Sequence, residues 1–163
     1  MSKLYPTKND LPEAARRTLV LLLNEKLATA QHLALQAKQA HWNVKGPDFF
    51  QLHELFDKVY AEAVTWVDDI AERAVQLGGV AEGTLDLIAK RTQLPPYSLE
   101  LSGGREHVDA VSRALSIFAK AAREAIDAAA KAGDADTSDL FTGISRGADK
   151  MLWFVEAHLH AER

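Results

Sequence analysis

The chain has 163 residues, 47% apolar and 26% charged, which fits one soluble globular domain with a sizeable core. It has no cysteine, which excludes disulfides, thiolate zinc sites, iron–sulfur clusters and cysteine nucleophiles and leaves imidazole and carboxylate as metal ligands. The formal net charge of −4 gives no global pull on nucleic acid, no apolar run reaches membrane-spanning length, and residues 1–11 lack a secretory core, so the chain reads as cytoplasmic.

Glycine and proline punctuation predicts the elements in order. A first helix starts near Pro12, with Asp10 as N-cap and Glu13 three residues on. Its apolar residues, from Leu19, Leu23 and Leu27 to Leu33 and Ala37, recur at three/four spacing, and Gly46-Pro47 stops it after about Asn43. Asp48, with Gln51, is the expected cap of a second helix carrying Leu52, Phe56, Val59, Ala63, Ile70 and Ala74, ended by Gly78-Gly79. Residues 80–104 form a long connection with a short helix over 84–90. A link of that length suits a crossover better than a tight hairpin. A third helix is expected over 105–132, stopped by Gly133, and a fourth follows with Asp136 and Asp139 at its cap. The pattern predicts an all-α, four-helix bundle with a long central crossover.

The residues that carry chemistry are His41, His53, Asp57, Asp68 and Glu72. His53 and Asp57 are four apart on the second helix, as are Asp68 and Glu72, so each pair shares a helix face. At about 100° per residue, Asp57 and Asp68 fall on broadly one side. They are nevertheless about 16 Å apart along the axis, whereas metal ligands converge at about 2 Å. One chain therefore carries two half-sites at opposite ends of one helix. Antiparallel packing of two copies, crossing near Glu62 and Ala63, would bring His53 and Asp57 of one chain to Asp68 and Glu72 of the other, twice per dimer. The short turn at 44–47 brings His41 to the His53 end. No Glu-x-x-His occurs anywhere, which argues against a di-iron centre built inside one chain. The plain alternative is a bundle whose acids are merely solvated, with His41-Trp42 as helix-end packing.

The stretches Lys38-Gln39-Ala40-His41-Trp42-Asn43, His53-Glu54-Leu55-Phe56-Asp57, the run from Asp68 to Gly79, and Ser145-Arg146, Asp149-Lys150 and Leu152-Trp153-Phe154 resemble the Dps family, the DNA-binding proteins from starved cells or mini-ferritins. The resemblance spans about residues 7–156. It implies a single ferritin-like domain over 1–163, with short tails at 1–11 and 157–163, assembled into a twelve-subunit hollow shell. It further implies two iron atoms per ferroxidase centre at the two-fold interfaces, with His41, His53 and Asp57 from one chain and Asp68 and Glu72 from its partner. The activity implied is oxidation of Fe(II), preferably by hydrogen peroxide, with storage of ferric oxide; zinc or manganese suits the same ligands. Trp42 matches the family's aromatic neighbour of the site. Asp139 and Asp149 match acids lining a three-fold pore that admits iron, although Gly147 stands where a further acid is often found. The DNA-binding pattern is thin: Lys3 and Lys8 face Asp10 at one end, and Glu162 offsets Arg163 at the other. The rival reading is a nucleoid-associated protein that binds and compacts DNA, with secondary iron chemistry; the thin pattern implies only weak binding, helped by many copies and by His158 and His160 below about pH 6.5.

Overall fold

The computed structural model describes residues 3–160, so Glu162 and Arg163 lie outside the described residues. Five helices occur in the order α1 Glu13–Asn43, α2 Phe49–Gln76, α3 Leu85–Arg91, α4 Gly104–Lys131 and α5 Ala135–Glu156. The fold is the expected all-α ferritin-like bundle, with the short α3 in its crossover. The α1–α2 and α4–α5 pairs are hairpins, and they stack with α1 against α4 and α2 against α5 while α3 lies on α1. Phe56, Phe118 and Phe141 are fully buried where the layers meet. Each contributes about 2–3 kcal/mol through the apolar surface it removes from water. Trp66, absent from the expected core, is also buried and stacks on Phe118 with ring centres 5.5 Å apart.

The helix starts differ from expectation, each for a physical reason. Asp10 does not cap α1; Pro12 holds that position in extended backbone, and no side chain bonds the first turn. Asp48 occupies the N-cap position of α2 but makes no capping hydrogen bond. At α4 the cap is Gly103, and the Glu106 carboxylate reaches back to accept from the N–H groups of Gly103 and Ser102. At α5 the cap is Asp134, two residues before the expected Asp136, and it accepts from the Thr137 N–H. Asp134 wins because a second partner reaches it: Arg73 of α2 donates to both its carboxylate oxygens at 2.9 and 3.0 Å and to the Thr137 hydroxyl at 2.9 Å.

That cluster joins the end of α2 to the start of α5. Burial alone would raise the Asp134 carboxyl; the bonds from Thr137 and Arg73 outweigh it and hold the group below its usual range. A depressed carboxyl stabilises the fold above its ordinary pKa and loses that contribution as pH falls below it. Gly78, at φ 85°, closes α2, and a β-carbon there would meet the Tyr5 carbonyl at 2.6 Å.

Asp134→Ala removes a cap and leaves a buried guanidinium unpaired, so it should cost about 3 kcal/mol. The check is the denaturant midpoint, followed by circular dichroism at fixed protein concentration. Arg73→Ala should cost a similar amount, and the double variant much less than the sum of the two.

Candidate metal centre

His41 closes α1 and His53 sits in the second turn of α2, so the short turn at 44–47 sets them side by side. Their rings stack with centres 3.6 Å apart. The Nδ1 of His41 lies 2.8 Å from the His53 carbonyl, and the Nδ1 of His53 lies 2.9 Å from the His41 carbonyl. A carbonyl only accepts, so each Nδ1 carries the proton and donates it. When neutral, each ring is thereby held in the tautomer that leaves its Nε2 lone pair unused, the arrangement a metal would need. This exchange is invisible to motif reading, because it needs the turn geometry.

Asp57 stands one helical turn past His53, with one oxygen 3.9 Å from the His41 Nδ1. It is ion-paired with Lys38, which also lies over the Tyr60 ring at 4.9 Å. The bond from Lys38 holds the Asp57 carboxyl below its usual range against the effect of partial burial, with smaller help from the charge of Lys38 and from His41 and His53. Lys38 lies 19 residues from Asp57, so no local spacing in the sequence couples the two. It supplies a cation beside Asp57 in the metal-free chain. Trp42, 67% exposed, follows His41 at the end of α1.

Asp68 and Glu72 lie farther along α2, and both are exposed. Glu72 edges a depression of about 400 Å³ with Ala71, Val75, Gln76 and Ala81. Among the described residues no group of three or more His, Asp or Glu side chains converges to hold a metal within one chain. The two halves thus remain apart, as the helical rise requires. Between them, Ala61, Val64 and Thr65 are exposed, whereas Ala63 is fully buried in the chain's own core. Of the expected crossing near Glu62 and Ala63, Ala63 is therefore unavailable to a second copy, and the exposed residues beside it are Ala61, Val64 and Thr65.

The two acids assigned to a pore are not brought together. Asp139 and Asp149 are ten residues apart on α5, about 15 Å along its axis. Asp149 is held by Arg123 at 2.8 and 3.0 Å, and Asp139 edges a separate depression of about 490 Å³ with Gly133, Ser138 and Thr142. Gly147 lacks a side chain for a packing reason: a β-carbon there would meet the Trp66 ring at 2.9 Å.

Residues 20–163 match the ferritin-like domain family. A DNA protection during starvation protein from Agrobacterium fabrum is 46% identical over 157 residues, 96% of this chain and 97% of that one. The chain belongs to the Dps family. DpsC from Streptomyces coelicolor superposes with a TM-score of 0.94 at 28% identity, covering 99% of this chain and 94% of that one. A Dps protein from Vibrio cholerae O1, described as a member of a superfamily of ferritin-like diiron-carboxylate proteins, superposes with a TM-score of 0.89 at 25% identity, covering 98% and 99%.

Lys38→Met should raise the Asp57 carboxyl toward its ordinary range, because the largest influence lowering it is gone. Carbon NMR of the Asp57 side-chain carboxyl across an acid titration reads this directly. An unchanged titration would mean that Lys38 does not govern the charge at this end of α2.

Proposed function

We propose that this Dps chain takes up Fe(II), oxidises it at centres shared between two copies, preferably with hydrogen peroxide, and stores the ferric product inside a twelve-subunit shell. The observation that carries this reading is the pair of Nδ1-fixed imidazoles beside Asp57 at one end of an open helix face, with Asp68 and Glu72 at the other end. Each iron substrate would meet His41, His53 and Asp57 of one chain and Asp68 and Glu72 of its partner. Imidazole and carboxylate together suit ferrous iron, and the carboxylates favour the ferric product as its charge rises. Two Fe(II) ions supply two electrons and water supplies two protons to reduce one peroxide to two waters, the two hydroxides left behind going to the ferric product, so no hydroxyl radical is released. Trp42, exposed beside His41, is one of the aromatic neighbours of this chemistry, with Phe49 5.2 Å from the His53 ring. Asp139 is the better placed of the two acids to greet incoming iron, since Asp149 is already neutralised by Arg123.

The second reading is DNA binding, favoured by the name of the Agrobacterium relative. The geometry of the first residues weighs against a mobile basic arm. The Tyr5 N–H donates to the Gly78 carbonyl at 2.7 Å, Arg16 donates to the Leu11 and Leu77 carbonyls, and Lys3 lies over the Tyr5 ring. Two lysines held this close to the body neutralise few phosphates, so any DNA complex should be weak and strongly salt-dependent. Among the described residues no helix is long and apolar enough to cross a membrane.

Shared sites make a specific prediction about mixtures. His53→Ala breaks one half of every site and Glu72→Ala the other, so neither homogeneous variant should oxidise Fe(II) above a protein-free control. When the two are unfolded and reassembled together, each mixed dimer regains one intact site. About half of random dimers are mixed, so about a quarter of wild-type activity should return. Ferric absorbance after anaerobic Fe(II) loading and peroxide addition measures it. Recovery of no activity, with both variants fully helical, would sink the shared-site reading.

A further inference from the structure

The crossover after α3 has little apolar burial of its own; Leu94 is its buried residue, while Gln93, Pro95 and Pro96 are exposed. Two imidazoles hold it at its ends. His32 of α1 takes one end: its Nδ1 is 2.9 Å from the Thr92 hydroxyl and its Nε2 is 3.1 Å from the Gln36 amide nitrogen. The same Gln36 nitrogen donates to the Pro95 carbonyl at 2.7 Å. That carbonyl can only accept, which identifies the Gln36 atom as the NH₂ group. His32 Nε2 must then be the acceptor, and Nδ1 the donor to Thr92. His107 of α4 takes the other end, with its Nδ1 2.6 Å from the Tyr97 hydroxyl. A hydroxyl can donate or accept; the Asn43 and Leu101 backbones favour the ring proton on the other nitrogen, Nε2, which leaves Nδ1 to accept from the Tyr97 O–H.

We propose that His32 and His107 form an acid-released latch on the crossover, in which each imidazole closes the latch only when neutral because each offers a lone pair to a fixed donor. Protonating His32 sets an N–H against the Gln36 NH₂. Turning the amide to relieve that contact breaks the bond to Pro95, so no arrangement of Gln36 serves both partners. Protonating His107 removes the acceptor that holds the Tyr97 O–H.

The surroundings agree in direction. Burial lowers the His32 pKa, and no charged group offsets it. Arg91 at the end of α3 is ion-paired with Glu82. Burial also lowers the His107 pKa against the opposing pull of Glu106 on its own helix and of the Asn43 and Leu101 backbones from α1 and the connection. From α2 the uncharged Phe56 ring stands 6.5 Å away. His107 is 1% exposed, and its Nε2 has no hydrogen-bond partner. A histidine held neutral in the closed state stabilises that state above its free pKa of about 6.5 and loses the contribution as pH falls below it. Each latch end can shift the open-to-closed ratio by at most about tenfold per pH unit.

Hydrogen exchange on the full-length protein tests this, with rates corrected for the intrinsic effect of pH. Between about pH 7.5 and about pH 5, amides of residues 92–103 should lose at least about tenfold of their protection while the α1 and α4 cores keep theirs. The double variant His32→Asn, His107→Asn keeps a donor to Thr92 and an acceptor for Tyr97 but cannot titrate, so its crossover should exchange alike at both pH values. Equal protection of the wild-type crossover at both values overturns the proposal, as does an acid loss that persists in the double variant. Should that variant prove non-helical, proton NMR of the two wild-type imidazoles decides: titration below the free-histidine range supports the latch, and ordinary titration ends it.

Discussion

A straight helix of 28 residues cannot bring its ends together, and that constraint on α2 organises the rest of the molecule. At about 1.5 Å per residue the His53 and Glu72 positions stay about 28 Å apart however the chain folds. The remaining elements fix α2 in place without covering its outer face. Its start is held by the exchange of imidazole N–H groups for carbonyls between His41 and His53, and its end by the Arg73–Asp134 clamp. Near its middle, Trp66 is seated against Gly147 and Phe118. What stays open is a stripe with acids toward its ends and Ala61, Val64 and Thr65 between them. Small and β-branched residues let two helix backbones approach closely, whereas long charged side chains there would hold them apart.

The crossover poses the opposite problem, because an irregular segment exposes backbone groups that no helix satisfies. α1 meets them with a polar stripe at a position where a bundle helix would ordinarily be apolar. Asn24, 1% exposed, donates to the Val80 carbonyl and accepts from the Glu82 N–H. Thr29 accepts from the Gln93 N–H, and His32 and Gln36 take Thr92 and Pro95. Each of these bonds is worth only about 1 kcal/mol net, but leaving the same groups buried without partners would cost more. α1 therefore faces the bundle core on one side and serves as a hydrogen-bonding rail for the connection on another. The same rail makes the crossover sensitive to the protonation of its two histidines, since their role rests on lone pairs.

The four long helices, their crossover and the separation of the His53–Asp57 and Asp68–Glu72 pairs along α2 were legible in the sequence because helical periodicity and rise are local properties. Cap positions were less so. Asp10, Asp48 and Asp136 all sit where an acid suits a helix start, yet the cap of α5 is chosen by Arg73, which lies 61 residues from Asp134 along the chain. The polar contacts of α1 to the crossover are hidden for a related reason: Asn24, His32 and Gln36 resemble the solvated face of a helix until the crossover is laid on them. Their unusual mixture with Leu27, Ala30, Leu33 and Ala37 was the one available signal. Gly147 was taken for a gap in an acidic pattern, and the ring it makes room for lies on another helix.

The metal-free half-site is electrostatically prepared rather than strained. Lys38 is ion-paired with Asp57, and each imidazole Nδ1 proton is bonded to a carbonyl. A divalent cation bound there would compete with one lysine side chain for Asp57, and on each neutral ring it would meet an Nε2 lone pair that these bonds leave unused. The competing lysine is a flexible point charge, so it can swing away without disturbing the helices that carry the ligands. Farther along α2, no ion pair is made by Asp68 or Glu72 among the described residues. In the proposed centre shared between two copies, an end of α2 with an internal counter-ion would face an end without one, which complements the antiparallel arrangement that such sharing would use.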